Sequence, residues 1–438
     1  MIEICSIGGY LEVGRNLTAI RYKDEVVLLD MGVHLENYIS YTEDEDVHDV
    51  HYEDLVKVGA VPDINKIKTW VSEVKAIVVG HGHLDHIGAV PFMAKKFNAP
   101  ILLTPYSNAV LEQITKDNKI ILPNKIRVLS DNSSFQISKN ITIEFINVTH
   151  SIPDSVMVAV HTPQGTILYT GDYKFDPSPT LGKLTNMERL KELKDVKLLI
   201  MDSLYSNRSG KTTSELDAQK LLEETVLKNV SKGNGLIITT FSSHIARLKS
   251  IIALGKKMKR KVIFLGRSLS KYTQAAEDIG LVRFTDDVEV VKFSSQVKKR
   301  LAKIQKEGKE KYLIVCTGHQ AEKKAVLSKM LKKEYYNFSK NDVVVFSCTT
   351  IPQEPNIENR RLLEESLQAL NVRVYKDIHS SGHASQDDQK QLIDMVKPRF
   401  IMPFHCEKEK AEILKANVKN WKPDTEVKIL KEGEFFLV

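Results

Sequence analysis

The segment Gly80-His81-Gly82-His83-Leu84-Asp85-His86 sets three histidines and an aspartate within six positions, directly behind the apolar run Ala76-Ile77-Val78-Val79. Imidazole nitrogens and carboxylate oxygens are donors that divalent transition metals take. The apolar run reads as a short buried strand, and Ile87, Ala89, Val90, Phe92 and Met93 read as an amphipathic helix, which puts the ligands on a strand-to-helix turn. Residues two apart in an extended turn point the same way. His81 and His83 are therefore expected to share one ion, and the adjacent Asp85 and His86 to turn toward a second. A pair of neighbouring cations suits hydrolysis, because it lowers the pKa of a water between them and takes up charge that develops on the substrate.

Three histidines and one aspartate leave two metal sites incomplete, so further ligands are expected at strand ends downstream. His150 follows the alternating strand Ile141 to Ile146, just before the proline-bounded loop Ser151-Ile152-Pro153-Asp154-Ser155. Ile167-Leu168-Tyr169-Thr170-Gly171-Asp172 is an apolar strand ending in a carboxylate of the kind that bridges two cations. Phe400-Ile401-Met402-Pro403-Phe404-His405 repeats the pattern of strand followed by ligand. Each of these residues alone would read as an ordinary loop residue; the ordered set is what points to metal.

At 438 residues the chain exceeds a typical single domain, and two domains are expected. Hydrophobic content of 42% beside 27% charged residues indicates an ordered globular protein. No apolar stretch has the length of a membrane span, and Met1-Ile2-Glu3-Ile4 enters a strand without a basic and apolar leader, so no membrane association and a cytoplasmic location are expected. Cys5, Cys316, Cys348 and Cys406 lack metal-ligand spacing and suit reduced, partly buried thiols. A net charge of +7 is compatible with a polyanionic substrate such as nucleic acid, although 63 basic against 56 acidic residues is a mild excess. Two clusters, Lys256 to Lys261 and Lys298-Lys299-Arg300 through Lys311, read either as a channel that tracks a phosphate backbone or as solvated helix faces. The acidic stretch Glu43-Asp44-Glu45-Asp46, with His48, Asp49 and His51, reads as a surface loop.

Strands alternate with turns as far as about Asp202. Beyond it, charged helical stretches alternate with the apolar strands Gly235 to Thr240, Val262 to Leu265, Tyr312 to Val315 and Val343 to Phe346, the texture of a parallel-sheet α/β module. This module interrupts the metal-binding domain, since His405 returns after it. The expected division is 1–206 and 371–438 for the metal-binding domain and 207–370 for the insertion.

His-x-His-x-Asp-His is the central motif of the metallo-β-lactamase superfamily, and the chain resembles that superfamily in the order of all its ligands. The resemblance implies an αββα sandwich with His81, His83, His150 and Asp172 on one zinc, and Asp85, His86, Asp172 and His405 on the other. It implies that Asp30, in Leu28-Leu29-Asp30-Met31-Gly32, supports the ligand loop from behind the ligands. Zinc is the expected ion because histidine-rich sites favour it, while carboxylate-bridged pairs also take manganese or magnesium. A large α/β insertion before the last ligand looks like the β-CASP group, whose members act on nucleic acids. Asp202 stands at the group's motif A, His383 in His379-Ser380-Ser381-Gly382-His383-Ala384 at motif B, and His405 at motif C.

The form His-x-Ser-Gly-His-Ala, with Gly8-Gly9-Tyr10-Leu11-Glu12-Val13-Gly14-Arg15-Asn16 and Gly171-Asp172-Tyr173-Lys174-Phe175-Asp176, is similar to the ribonuclease J family over essentially the whole chain. The end at Val438 resembles the shorter archaeal members. Four departures stand out: His244 where an asparagine is usual, His319 and Ala321 in Thr317-Gly318-His319-Gln320-Ala321-Glu322 where a serine and a glycine are usual, and Cys406 in place of a glycine. The resemblance implies a zinc-dependent 5′-to-3′ exoribonuclease preferring 5′-monophosphate ends, with an RNA endonuclease as the alternative. Asp85, His383 and Asp202 are the expected catalytic residues: His383 gives a proton to the leaving oxygen, and Asp202 orients it. Ser243, His244, Ser381 and Gly382 are expected to hold the terminal phosphate, with His379 either assisting or packing the loop, and Arg267 either contacting phosphate or making a structural salt bridge. Single-stranded RNA is the expected partner, and a homodimer the expected assembly.

Overall fold

The computed structural model describes residues 1–44, 50–332, 335–351 and 354–438. It divides into two units: Met1–Pro177 with Gly182–Thr212 and Gly382–Val438, and Ser178–Leu181 with Thr213–Ser381.

The first unit holds two seven-stranded mixed sheets. Across one run Phe435–Leu437, Ile2–Gly8, Leu17–Tyr22, Glu25–Leu29, Val74–Val78, Ile101–Leu103 and Ile126–Val128; the first pairings are antiparallel, and from Glu25–Leu29 onward they are parallel. Across the other run Glu426–Val427, Phe400–Phe404, Val196–Asp202, Gly165–Tyr169, Val156–Thr162, Thr142–Asn147 and Ser134–Gln136, again with a parallel half and an antiparallel half.

Side-chain alternation explains why the sheets face each other. Val156, Val158 and Val160 join Ile4, Val27 and Val78 in the core between the sheets, while Met157 and Ala159 face the other way, onto Leu190, Leu392, Ile393, Leu414 and Val418 of the flanking helices. Strands buried on both faces read as continuous apolar runs, as Leu198-Leu199-Ile200-Met201 does. Each such side chain taken fully from water contributes about 1.5–3 kcal/mol before entropy is counted. This is the expected αββα sandwich.

The second unit is built on a six-stranded, wholly parallel sheet in the order Val288–Val291, Lys261–Leu265, Tyr312–Cys316, Leu236–Thr239, Val343–Phe346 and Arg373–Tyr375. Its first helix, Glu215–Asn229, starts at a capping box in which Ser214 and Asp217 satisfy each other's backbone amides. By its contacts this unit runs from Thr213 to Ser381, and its last strand, Arg373–Tyr375, pairs with Val343–Phe346. That strand is only half-buried, so no apolar run marks it.

Two local expectations are corrected. In place of one amphipathic helix after His86 stand two short ones, Leu84–Ile87, which contains His86, and Val90–Met93, in which Val90, Pro91, Phe92 and Met93 are all buried. Of the acidic stretch expected as a loop, Leu35–Asp44 is helical and His51 precedes the helix Tyr52–Lys57, while Glu45 to Asp49 lie outside the described residues.

Candidate metal centre

The site follows from strand direction. Glu25–Leu29, Val74–Val78, Gly165–Tyr169, Val196–Asp202 and Phe400–Phe404 lie in the parallel halves of the two sheets, and each delivers a polar residue at or just beyond its carboxyl end: Asp30, His81, Asp172, Asp202 and His405. Thr142–Asn147, two antiparallel pairings from Gly165–Tyr169, runs the same way and delivers His150.

The delivered groups fall into sets whose ligand atoms lie within 4.8 Å of one another: His81, His83, His150 and Asp172, then Asp85, His86, Asp172 and His405. In the first set His81 Nε2 and His150 Nε2 are 3.6 and 3.7 Å from Asp172 Oδ2, and His150 Nε2 is 3.1 Å from His83 Nδ1. In the second His86 Nε2 is 3.3 Å from Asp172 Oδ1 and 3.6 Å from Asp85 Oδ2, and His405 Nδ1 is 3.8 Å from Asp85 Oδ2. Tetrahedral ligands at about 2.0–2.2 Å from one ion stand about 3.3–3.6 Å apart. Among the described residues His81 Nε2, in the first set, and Asp172 Oδ1, which faces the second, are buried without a hydrogen-bond partner, a state that a cation in each set relieves. The donor set fits a divalent metal.

Protonation agrees. Burial, reinforced by neighbouring histidines, pushes His81 and His150 well below the usual imidazole range, and burial takes His83 down to about 4. All three are therefore neutral, the form that ligates. Burial opposes ionisation of Asp172, but the charges of His405 and His86 hold its carboxyl well below the usual range.

Residues behind the ligands aim them. Asp30 is fully buried, with a left-handed backbone (φ 59°). Its Oδ1 accepts from Gly80 N at 2.8 Å; its Oδ2 accepts from Tyr169 Oη at 2.6 Å and from His86 Nδ1 at 2.6 Å. The Nδ1 proton on His86 turns the lone pair of Nε2 inward. His150 Nδ1 donates to Gly382 O at 2.7 Å with the same result. A Cβ on Gly382 would stand 2.5 Å from His150 Cε1, so the placement of His150 requires the small residue at 382.

Asn16 escaped the sequence reading of roles, although it ends the quoted motif Gly8 to Asn16. Its buried amide donates to Asp85 O at 3.0 Å and stands 2.9 Å from His86 Nε2 and 3.0 Å from His405 Nδ1. Tyr169 was missed as well, and the alternation of its strand, which turns it toward Asp30, is the signal that finds it.

His383 lies at the rim, its side chain 18% exposed, with Nδ1 donating to Asp202 Oδ2 at 2.8 Å. Leu204 N also donates to Asp202. The His383 ring stacks on His405 at 5.4 Å and 11°, and meets His150 and Tyr205 edge-on. Burial alone would lower its pKa, but the charges of Asp202 and Asp172 and the Asp202 hydrogen bond raise it to about 10. Asp172's share is withdrawn once that carboxylate holds a cation, which leaves Asp202 as the lasting influence.

The remaining expected site residues belong to the second unit, apart from Gly382. Ser242-Ser243-His244, Gly266-Arg267-Ser268, Thr317-Gly318-His319 and the segment with His379 and Ser381 all follow strands of the parallel sheet and share its carboxyl edge. His244 is buried, with Nε2 3.2 Å from Glu215 Oε2. Glu215 takes the fork of Arg247 at 2.6 and 2.8 Å, and Arg247 also donates to Ser347 O and Ile378 O. His379 packs near Phe241 and His244. Arg267 opens the helix Arg267–Asp278 and is exposed. In the basic clusters, Lys256 pairs with Asp287, Lys257 with Glu223 and Arg300 with Glu289, the arrangement of a solvated, ion-paired face, while Lys309 reaches the buried carboxylate of Asp342. All four cysteines are buried and unbridged.

Comparison with known proteins bears on this geometry. Residues 233–362 match the model for the ribonuclease J beta-CASP domain, 59–226 that for a beta-lactamase superfamily domain, and 369–429 that for a Zn-dependent metallo-hydrolase RNA specificity domain. Ribonuclease J of Methanocaldococcus jannaschii is 44% identical over 92% of this chain and 91% of its own length. The chain belongs to the ribonuclease J family.

Ribonuclease J of Pyrococcus abyssi is 41% identical over 93% of the chain and 90% of its own length, and Ribonuclease J 1 of Streptococcus pyogenes is 30% identical over 93% of the chain and 69% of its own length. The fold alone is shared with the crystal structure of a protein of unknown function from Enterococcus faecalis V583, at 16% identity, full coverage of both chains and a TM-score of 0.66. Family membership brings hydrolytic nuclease chemistry on a metallo-β-lactamase and β-CASP framework. Among the described residues no helix is long and apolar enough to cross a membrane.

Proposed function

We propose that this ribonuclease J family member is a zinc-dependent ribonuclease that removes nucleotides from 5′-monophosphate RNA in the 5′-to-3′ direction. The observation that carries the reading is the pair of ligand sets joined at Asp172, with the His383–Asp202 dyad beside them. His81, His83 and His150 would hold one ion, Asp85, His86 and His405 the other, and Asp172 both. Two bound divalent cations supply a nucleophile at neutral pH and neutralise charge that develops on the phosphate.

The chain's own residues do the rest. Asp30, Tyr169 and the Gly382 carbonyl fix the ligand rings, so the donor set costs little reorganisation when substrate arrives. His383 holds a proton at Nε2 for the departing 3′ oxygen, while Asp202 accepts Nδ1–H and keeps the ring in that orientation. For exonucleolytic attack the terminal phosphate needs a fixed seat. Ser243, His244, His379, Ser381 and Arg267 are the proposed groups, supported by their position at the carboxyl edge of a parallel α/β sheet, where such folds bind ligands.

The test is digestion of an internally labelled single-stranded RNA carrying a 5′-monophosphate, 5′-triphosphate or 5′-hydroxyl, with zinc, manganese or magnesium supplied in turn to the metal-free protein. An Asp85→Ala, His86→Ala double variant is the control. Mononucleotides released fastest from the monophosphate support the proposal. Internal fragments that ignore the 5′ group would replace the exonuclease with an endonuclease, and no cleavage with metal bound would end the nuclease reading.

A further inference from the structure

The first unit carries a cationic surface that the reaction site does not use. The helix Gln386–Val396 and the helix Met187–Glu192 flank an open cavity of about 700 Å³ lined by Lys191, Lys211, Lys390 and Lys397, and a neighbouring hollow of about 410 Å³ adds Arg399. Among the described residues, Lys191, Lys211, Lys397 and Arg399 are exposed and paired with no carboxylate; of the acids lining the two hollows, Asp394 is met by Lys390 and Lys422 at 3.2 Å each and Asp195 by Lys197 at 2.6 Å, while Asp387 is exposed, so cations outnumber acids along the surface. Lys397 ends its helix with a left-handed backbone (φ 47°), where glycine is the ordinary residue, so the chain keeps a cation there at a backbone cost.

This surface begins at the reaction site. Tyr205 meets His383 edge-on at 5.7 Å, and the exposed Arg208 guanidinium lies 3.5 Å over the Tyr205 ring. Gln386 N donates to Arg208 O, and Asp387 N donates to Gly210 O, which pins the segment 208–211 to the first turn of Gln386–Val396. Along that helix, about 16 Å in length, the cations continue through Lys211 and Lys390 to Lys397. The geometry points to a path for the backbone phosphates of single-stranded RNA, running from His383 by way of Arg208 and Lys211 to Lys191, Lys397 and Arg399. The inference rests on the nuclease reading and adds to it where the RNA body outside the metal centre is held. Arginine on an aromatic ring at the start of the path offers a face on which a base stacks, and separate ammonium groups beyond it contact phosphates without reading sequence.

The experiment measures binding of a long single-stranded RNA to the full chain over a range of salt, in an Asp85→Ala background that prevents turnover, with and without the triple change Lys191→Gln, Lys397→Gln, Arg399→Gln. Losing three phosphate contacts should make the slope of log affinity against log salt shallower by about 2 and weaken binding roughly tenfold or more at low salt. Circular dichroism confirms that the variant is folded. In parallel, thiouridine-bearing RNA is photo-cross-linked to the parent protein, and cross-links within 187–211 and 386–399 are expected. An unchanged slope and affinity, or cross-links that avoid both segments, would overturn the path while leaving the nuclease standing. If the parent itself binds no RNA, the nuclease reading falls, and the path with it.

Discussion

Asp30 is fully buried behind the donor set, and its three hydrogen bonds set the aim of His86 and the course of the loop that carries it. Asp30→Ala leaves Gly80 N and Tyr169 Oη without that acceptor and frees the His86 ring; metal affinity should fall about 10–100-fold, as read by competition with a chromogenic chelator. An unaltered affinity would mean that packing alone orients His86. His383 belongs to a different class, because it holds no ion in the proposed sets. Its replacement by alanine is expected to lower single-turnover cleavage of RNA by about 10²–10⁴-fold while metal content and RNA affinity persist. A scaffold that only binds RNA would show no cleavage to lose.

At the scale of elements, buried charge and close packing decide what the loops tolerate. Gly382→Ala forces the segment away from His150, and the expected result is lower metal occupancy in elemental analysis with secondary structure retained. In the second unit, Arg247 is fully buried and ties Glu215 to the ends of two strands. Arg247→Ala strands the Glu215 carboxylate, which should cost about 3–5 kcal/mol in urea unfolding.

Glu144 provides the pH-dependent counterpart. Burial would raise its pKa, but hydrogen bonds from His161 at 2.7 Å and Arg189 at 2.6 Å, with their charges, lower it to about 2. A carboxyl depressed on folding stabilises fully above its unfolded pKa of about 4.5 and loses that contribution as pH falls toward 2. Glu144→Gln should therefore destabilise at pH 7 by at most about 3 kcal/mol, with the gap to the parent closing through that window. A gap that is the same at pH 7 and near pH 2 would show that Glu144 acts by packing.

For the whole molecule, metal is expected to act as a folding ligand. Ions that bind only the folded state add RT ln(1 + [L]/Kd), about 4 kcal/mol at a thousandfold excess over Kd, so chelation should lower the melting temperature and resupplied zinc should restore it. An unmoved melting curve would show that the ligand loops stand without the ion. Much of this centre was legible from the linear chain. His81 to His86, His150, Asp172 and His405 stand at the ends of strands, and short local apolar runs mark where those strands lie. The four apolar strands of the insertion were legible for the same reason. Arg373–Tyr375 was not, because a half-buried edge strand carries no continuous apolar run; nor was the short helix Val90–Met93, whose all-round burial erases helical periodicity. The chain's own order of residues thus determined which donors exist and at which strand ends they stand. Only the tertiary structure decided that Asn16 reaches both His86 and His405, that Gly382 serves His150, and that Lys191 and Lys397 share one surface with Arg399. Those relations join residues far apart in sequence, and the packing of sheets and helices, which no local pattern encodes, brings them within a hydrogen bond of each other or onto one face.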